Sequence, residues 1–331
     1  MKLLRLDFKQ LPLVSTFVLF ILMFAFGSWR YTGFLSPQVF LNLFVDNSFL
    51  IIVAVGMTFV ILSGGIDLSV GAIIALTSMI AASLIMNTGL SPWIVIPICL
   101  LIGSMIGFIQ GCFIHFYNLQ PFIVTLAGMF FARGTSYLIS VETIAINHSF
   151  FDYMANTRIP VGGNNFISTS VVIALIVVIV ATFMAHFTKF GRNVYAIGGN
   201  EYSAVLMGLP VGKTKITIYT ISGFCASLAG IVFSFYMLSG YGLHANGLEL
   251  DTIAAVVIGG TILIGGVGNI IGSVIGVLIL GLIQTIIIFE GTLSSWWTKI
   301  AIGALLLFFI VLQRFIVIRS NLKKNTIAER R

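Results

Sequence analysis

The chain is a succession of long apolar segments separated by short polar stretches. A helix needs about 20 apolar residues to cross a lipid bilayer, and most of the segments reach that length. The second and the eighth are too short to cross alone. The segments lie near residues 11–27, 47–62, 66–86, 93–114, 121–140, 167–187, 216–238, 252–266, 269–289 and 296–317. The pattern predicts an all-α polytopic membrane protein, a single transmembrane domain over residues 1–331, with eight to ten and most simply about ten transmembrane helices, some of them short or broken.

Composition supports this interpretation. Apolar residues make up 59% of the 331 residues and charged residues only 8%, with a mean hydropathy of +1.12. A soluble domain carries about 25% charged residues, so a water-soluble domain and extended disorder are both excluded. The first apolar segment, preceded by Lys2, Arg5 and Lys9, resembles a signal-peptide core. No small-x-small cleavage site follows it, so we expect a retained first helix.

Basic residues account for the net charge of +7. They concentrate in three regions, namely the N-terminus 1–10, the loop 188–215 and the C-terminal tail 318–331 with the residues just before it. With an even number of crossings these regions fall on one side, which the positive-inside rule makes cytoplasmic. Both termini are therefore predicted to be cytoplasmic. Because the charge has this topological explanation, it is no evidence for nucleic-acid binding.

Two glycine-containing motifs resemble each other across the chain. Residues 61–71 read Ile-Leu-Ser-Gly-Gly-Ile-Asp-Leu-Ser-Val-Gly, and residues 262–272 read Ile-Leu-Ile-Gly-Gly-Val-Gly-Asn-Ile-Ile-Gly. Paired glycine breaks in hydrophobic segments are typical of transporters built from two related halves, where the breaks line the path. A two-half pseudo-repeat, inverted or parallel, is therefore predicted. The candidate translocation-pathway residues are Gly64, Gly65, Asp67, Gly265 and Gly266. The alternative is that both glycine pairs are tight hinges at the membrane surface.

Asp67 follows the first glycine pair directly. An acid facing lipid is costly, so its carboxylate is expected to cap a helix beginning at Leu68 or to contact the solute. Arg133 is the other charge well inside an apolar segment, and it is expected to face the interior of the bundle without pairing with Asp67.

Sequence motifs for chemistry are lacking. The four histidines are scattered, so no metal site and no cofactor are predicted, and no catalytic motif is found. The glycine motifs resemble an ATPase signature and a dinucleotide fingerprint, but the phosphate loop and the soluble strand–turn–helix that those sites need are missing. Few buried ionisable groups are available for coupling to an ion gradient. We therefore expect a partner to supply the energy.

The loop 188–215 is the most polar of the predicted cytoplasmic stretches. Asn200 is positioned to cap a short helix over 201–207, which Gly208 and Pro210 would end. A short, partly apolar helix on the cytoplasmic face suits docking into a groove on another protein. The alternative is a surface helix in the lipid headgroup layer.

Residues 188–208, 60–71 and 255–272 together resemble bacterial sugar ABC importer permeases of the branched, ribose-type group. The resemblance runs from about residue 40 to 315. Within that group the chain is most similar to the second of two paired permeases in galactofuranose or arabinose type importers. The run Gly-Thr-Leu-Ser-Ser-Trp-Trp-Thr-Lys-Ile, which begins at Gly291, adds to this resemblance.

The resemblance implies a membrane-spanning permease subunit in the bacterial inner membrane that translocates galactofuranose or a related pentose or hexose. A second permease subunit, equal or different, would complete the channel, a cytoplasmic ATP-binding subunit would drive it, and a periplasmic sugar-binding protein would deliver the sugar. The residues that match the family's ATPase-coupling loop are Gly198, Gly199, Asn200, Glu201, Ala204 and Gly208. The alternative function is an ion-gradient-driven secondary transporter or channel for a small polar solute.

Overall fold

Helices form most of the computed structural model, which describes residues 11–294 and 296–328, with side chains described for 13–294 and 296–312. The helices are α1 (Leu11–Arg30), α2 (Pro37–Asp46), α3 (Ser48–Leu62), α4 (Val70–Thr88), α5 (Pro92–Phe116), α6 (Pro121–Ile139), α7 (Ser149–Asn156), α8 (Thr169–Phe187), α9 (Lys189–Gly199), α10 (Glu201–Leu206), α11 (Val211–Met237), α12 (Leu248–Ile258), α13 (Ile270–Glu290) and α14 (Trp296–Ala328).

Four short strands lie in the longer loops at one end of the bundle. β1 (Ile144–Ala145) pairs antiparallel with β4 (Ser239–Gly240), and β2 (Arg158–Gly162) forms an antiparallel hairpin with β3 (Asn165–Ser168). The prediction of an all-α protein is correct for the membrane segments, and these two small strand pairs are additions to it.

The number of crossings among the described residues reaches at most the lower end of the predicted range of eight to ten. Among the described residues, seven helices are long and apolar enough to span a membrane by themselves. The pair α2 and α3, bent by 58° between Asp46 and Ser48, counts as an eighth if it is one span. The apolar part of α14 is shorter, at residues 296–312. The prediction of about ten transmembrane helices is therefore not confirmed.

The main boundary error concerns α12, which runs from Leu248 to Ile258 rather than from 252 to 266. Gly259 and Gly260 end the helix, so Gly265 and Gly266 lie in the irregular stretch 259–269 that precedes α13. Glu249 consequently belongs to the first turn of α12 and is buried, whereas the sequence places it in a solvated loop. The two glycine motifs correspond only where α4 and α13 begin, and a repeat of whole halves is not confirmed.

The core is built around α3 and the C-terminal half of α12, which are almost completely buried. In α3, all residues from Leu50 to Leu62 are buried, and in α12 the stretch Ala254 to Ile258 is buried as well. A helix that is apolar on all sides must lie inside a bundle or in lipid. In contrast, α1 keeps most of its apolar side chains exposed, and α8 exposes one apolar side, as expected for helices that face lipid. The exposed apolar residues of α8 are Leu175, Ile176, Ile179, Val180, Phe183 and Phe187.

Glycines bring two pairs of helices into close backbone contact. Gly103, Gly107 and Gly111 of α5 face α11, where a Cβ at Gly107 would overlap the carbonyl oxygen of Tyr219. On α13, a Cβ at Gly276 would overlap the carbonyl oxygen of Ala255 in α12. Small residues allow this approach in lipid. Gly107 and Gly276 therefore serve packing between helices of this chain.

Replacing Gly107 by valine is expected to destabilise the protein, because the added side chain forces α5 away from the α11 backbone. Overpacking costs about 1–3 kcal/mol. Gly134 of α6 has open space at its Cβ position and ordinary backbone angles, so Gly134→Val is the matched control. The measurement is the thermal midpoint of the detergent-purified protein. Equal midpoints for the two variants would contradict the close α5–α11 contact.

Candidate translocation site

The two glycine motifs meet in the structure. α3 ends at Leu62 and is followed by the break 63–69, while the break 259–269 follows α12. The amide of Gly266 donates a hydrogen bond of 2.9 Å to the carbonyl oxygen of Leu62. Gly64, Gly265 and Gly266 all have positive φ angles, of 82°, 96° and 76°. Residues with a side chain are strained in this backbone conformation. The contact therefore depends on glycine on both sides.

A third backbone joins this contact from the C-terminal end of α9. A Cβ at Gly198 would overlap the carbonyl oxygen of Leu62 and would lie 2.5 Å from the amide nitrogen of Gly266. A Cβ at Gly266 would lie 2.9 Å from the amide nitrogen of Gly199. We call the meeting of these backbones the three-backbone contact, formed by Leu62, Gly64, Gly198, Gly199, Gly265 and Gly266. It brings together two predicted groups, the pathway glycines and the glycines of the coupling loop.

Tyr195 of α9 strengthens the link to the second break. Its hydroxyl donates a hydrogen bond of 2.9 Å to the carbonyl oxygen of Gly268. Burial raises the pKa of the Tyr195 hydroxyl, so the phenol keeps its proton and remains a donor. Sequence reasoning did not single out Tyr195, and its position three residues before Gly198 on α9 is visible only once α9 is known to be a helix.

A cavity of about 790 Å³ opens beside the three-backbone contact. Tyr195, Gly199, Gly260, Gly266 and Asn269 are among its lining residues. Irregular backbone at membrane depth is tolerated where protein or a water-filled cavity satisfies its polar groups. The break 259–269 has protein partners in Leu62 and Tyr195 and also borders this cavity. We call this space the inner cavity.

Asp67 lies in the first break and is completely buried. Its Oδ1 accepts hydrogen bonds from the backbone amide of Ser69 at 2.9 Å and from the Ser69 hydroxyl at 2.6 Å. Its Oδ2 accepts one from the Ser222 hydroxyl of α11 at 2.6 Å. The helix begins at Val70 rather than at Leu68, so Asp67 organises the turn before α4 and ties that turn to α11. Because Asp67 is enclosed by protein, its carboxylate does not face an open cavity.

Arg133 does not pair with Asp67. Its guanidinium donates hydrogen bonds of 2.7 Å to the carbonyl oxygens of Gly242 and His244, in the loop before α12. The expectations for Arg133, an interior position and no pairing with Asp67, are confirmed. Burial lowers the pKa of His244, and the nearby charge of Arg133 lowers it further, so His244 is neutral at physiological pH.

Tyr219 and Gln110 complete the surroundings of Asp67 and were missed by the sequence reasoning. A Cβ at Gly65 would overlap the Tyr219 hydroxyl, which explains the glycine there although its φ is negative. Within the described chain, neither the Tyr219 hydroxyl nor the Gln110 amide nitrogen has a hydrogen-bond partner. The signal that was available is the spacing of Tyr219 and Ser222, which places two polar side chains on one face of an apolar helix.

The coupling loop folds into two helices, of which only the second was predicted. The amide of Ser203 donates a 2.7 Å hydrogen bond to Asn200 Oδ1, so Asn200 caps α10 as expected. α10 ends at Leu206, and Gly208 follows with a φ of 73°. The loop is shorter than the predicted 188–215 because α9 occupies its first part and α11 begins at Val211.

α10 presents a mixed surface. Ala204 is completely buried against Ile197 and Val211, which fixes α10 to the rest of the protein. Glu201 forms an ion pair of 2.6 Å with Lys215. The outward side is apolar, and we call it the α10 face, formed by Tyr202, Val205, Leu206 and Met207, which are all more than half exposed.

The comparisons with known proteins decide the family. Residues 39–310 match the family model described as branched-chain amino acid transport system / permease component. The chain belongs to this permease family. The match covers the three-backbone contact, Asp67 and the coupling loop, so these features lie in the part of the chain that defines membership.

Curated relatives span nearly the whole chain. The inner membrane ABC transporter permease protein YjfF of Escherichia coli K12 is 52% identical over 92% of this chain and 92% of its own length. The fructose import permease protein FruG of Bifidobacterium longum is 40% identical over 97% and 95%. The ribose import permease protein RbsC of Haemophilus influenzae is 36% identical over 91% and 93%. No solved structure matches. The resemblance to ribose-type ABC importer permeases is thus confirmed at the level of the family.

Adding one methyl group at Gly198 is expected to disrupt the three-backbone contact, because that group has no room beside Leu62 and Gly266. Gly199→Ala is the matched control, since a Cβ at Gly199 meets open space and its φ is ordinary. We expect Gly198→Ala to lower the thermal midpoint of the purified protein, with an overpacking cost of about 1–3 kcal/mol, and Gly199→Ala to leave it unchanged. A tolerated Gly198→Ala would show that the three backbones do not meet.

Proposed function

We propose that this protein is the membrane-spanning permease subunit of an ATP-binding-cassette importer that carries a monosaccharide across a bacterial inner membrane. The observation that carries the proposal is the three-backbone contact, because it connects an exposed docking helix to both breaks of the membrane core. Family membership and relatives named as ABC transporter and sugar import permeases support it.

The substrate class is a pentose or hexose. Relatives are named for fructose, ribose and allose import, and these sugars are uncharged polyols of similar size. Galactofuranose, which the sequence resemblance suggests, is one member of this class and is not among the sugars in those names. It therefore enters the proposal as a sugar to be tested beside the others.

Coupling is proposed to run through the loop of α9 and α10. An ATP-binding subunit would dock on the α10 face, and movement of α10 would pass through buried Ala204 and the cap at Asn200 to Gly198 and Gly199. From there it would reach Leu62 and Gly266 by direct backbone contact. Gly208, whose positive φ no side chain favours, gives the loop its turn into α11, and Glu201 holds α10 to Lys215.

The pathway residues would then be those that the loop moves. Gly64, Gly65, Gly265 and Gly266 lie at or beside the contact, and Asp67 keeps the first break in place through Ser222. In this proposal Asp67 is a positioning residue, since both of its carboxylate oxygens already accept hydrogen bonds from Ser69 and Ser222.

Partners and orientation follow from the same arrangement. The coupling loop, the contact and the inner cavity lie at one end of the bundle, proposed to be cytoplasmic together with both termini. At the opposite end, the hairpin of β2 and β3 and the helix α7 offer a surface for a periplasmic sugar-binding protein. A second permease subunit, identical or different, would complete the transporter within the lipid membrane.

An ion-gradient-driven carrier is the alternative, and one observation favours it. Glu249 is buried in the first turn of α12, near Arg133, and its Oε2 has no hydrogen-bond partner among the described residues. Buried acids of this kind serve as proton relays in secondary transporters.

Reconstitution separates the two functions. The chain would be placed in vesicles with or without its ATP-binding and second permease subunits, and uptake of D-ribose, D-allose, D-fructose and D-galactofuranose would be followed with loaded binding protein outside. We expect uptake that requires ATP and the ATP-binding subunit. Uptake by this chain alone along a proton gradient would instead establish the carrier.

Leu206→Asp is expected to weaken docking, because a carboxylate on the α10 face cannot be buried in an apolar groove without a partner. We expect at least a tenfold loss of co-purified ATP-binding subunit, which corresponds to about 1.4 kcal/mol. Val161→Asp is the control and should leave co-purification unchanged, because Val161 is also more than half exposed but lies on the hairpin at the opposite end. Equal recovery of the subunit with both variants would remove α10 as the docking element.

A further inference from the structure

A second cavity lies at the other end of the two buried helices. It has a volume of about 480 Å³ and is formed where α3 and α12 begin, where α11 and α13 end, and where α14 begins. We call it the outer cavity, since it lies opposite the three-backbone contact. Its volume falls in the range of about 300–1,000 Å³ that is usual for small-molecule sites.

Charged groups converge on the outer cavity. The chain has only 10 acidic and 17 basic residues, yet Asp46, Asp251 and Lys299 all line this one space. Lys299 Nζ lies 2.6 Å from Asp251 Oδ2. Asp46 comes from the bend between α2 and α3, so the three charges arrive on three separate elements. Charged groups in a membrane bundle are costly and mark solute paths.

Uncharged polar groups line the same space. Gln284 is an exposed amide on α13, which is a largely apolar span, and Thr285 lies beside it. Tyr236 reaches the cavity from the end of α11. An amide facing lipid loses its hydrogen bonds to water, at a cost of several kcal/mol. We therefore expect the Gln284 amide to face water or a polar ligand rather than lipid. The remaining walls are apolar and include Phe49 and Ile302.

We propose that the outer cavity is a monosaccharide-binding site on this chain, a proposal that rests on the proposed function above. The site would take a neutral polyol of pentose or hexose size. Sugar hydroxyls would donate to the carboxylates of Asp46 and Asp251 and accept from Lys299 and Gln284. The C–H faces of the ring would pack on Phe49 and Ile302. Two carboxylates against one ammonium leave a net negative charge, which disfavours a phosphorylated sugar.

The position of α12 relates this site to transport. Leu248 and Asp251, at its beginning, line the outer cavity, whereas Gly259 and Gly260, directly after its end, line the inner cavity. The helix has 11 residues, or about 16 Å. Its buried stretch from Ala254 to Ile258 fills the space between the cavities, so the site is open at one end and closed toward the other in this structure.

Protection from thiol labelling tests the site in the assembled transporter. Cys99, Cys112 and Cys225 would be replaced by serine, and Gln284→Cys would introduce a reporter inside the cavity. A water-soluble maleimide would then be applied with D-ribose, D-allose, D-fructose or D-galactofuranose, or with ribose 5-phosphate for comparison. Uptake by the cysteine-free transporter, measured in the same vesicles, identifies which of the sugars is imported and tests the proposed function separately.

We expect the imported sugar to slow labelling at residue 284 several-fold and ribose 5-phosphate to have no effect. Thr292→Cys, exposed in the loop after α13 and outside the cavity, should label at the same rate throughout. If Gln284→Cys does not assemble, Thr298→Cys on α14 reports on the same space. Transport without protection at 284 and 298 would overturn the site. Failure to label at both positions, which indicates that another subunit fills the cavity, would overturn it as well.

Discussion

The backbone hydrogen bond between Gly266 and Leu62 is the interaction on which the rest of the arrangement depends. Leu62 is the last residue of α3, and Gly266 lies in the break that follows α12. The backbone polar groups of both stretches lack helical partners and need other partners within the protein. The hydrogen bond therefore satisfies a backbone carbonyl at the first break and a backbone amide at the second. The hydroxyl of Thr16 in α1 serves the end of α12 in the same way, by donating a hydrogen bond of 2.5 Å to the carbonyl oxygen of Ile258. Glycine is required at 198, 265 and 266, because a Cβ at these positions would lie too close to the neighbouring backbone.

From this contact the positions of the other elements follow. α9 must end against Leu62, so α10 and its exposed face are held at a fixed place relative to the core. The first break must then turn back into α4, and Asp67 secures that turn by joining Ser69 to Ser222. Ser222 lies on α11, which packs against the glycines of α5. The need of two backbone breaks for hydrogen-bond partners thus fixes the relative positions of five helices, namely α4, α5, α9, α10 and α11.

Sequence reasoning recovered the parts of this arrangement that are local. The cap at Asn200 and the stop at Gly208 follow from neighbouring residues. The family resemblance rests on motifs that are equally local, among them residues 188–208. The end of α12 could not be derived, because two glycine pairs, 259–260 and 265–266, compete and only packing against α13 and α9 selects the first. α9 was missed because its three glycines and its polar residues resemble a loop, and contact with α8 and Leu62 makes it a helix. The contact itself joins residues far apart in the chain, which no local pattern encodes.

The short length of α12 has a mechanical consequence. A full-length span is anchored at both membrane surfaces and moves only with its neighbours. α12 stops half-way, and the irregular stretch after it contains five glycines, two of them in the left-handed region at the three-backbone contact. Irregular backbone with few internal hydrogen bonds opens at lower free energy than a packed helix. In the proposed coupling, displacement of α9 would be absorbed in the break 259–269 rather than in α3. The helix α12 would then shift as a rigid body between the two cavities while the core around α3 stays in place.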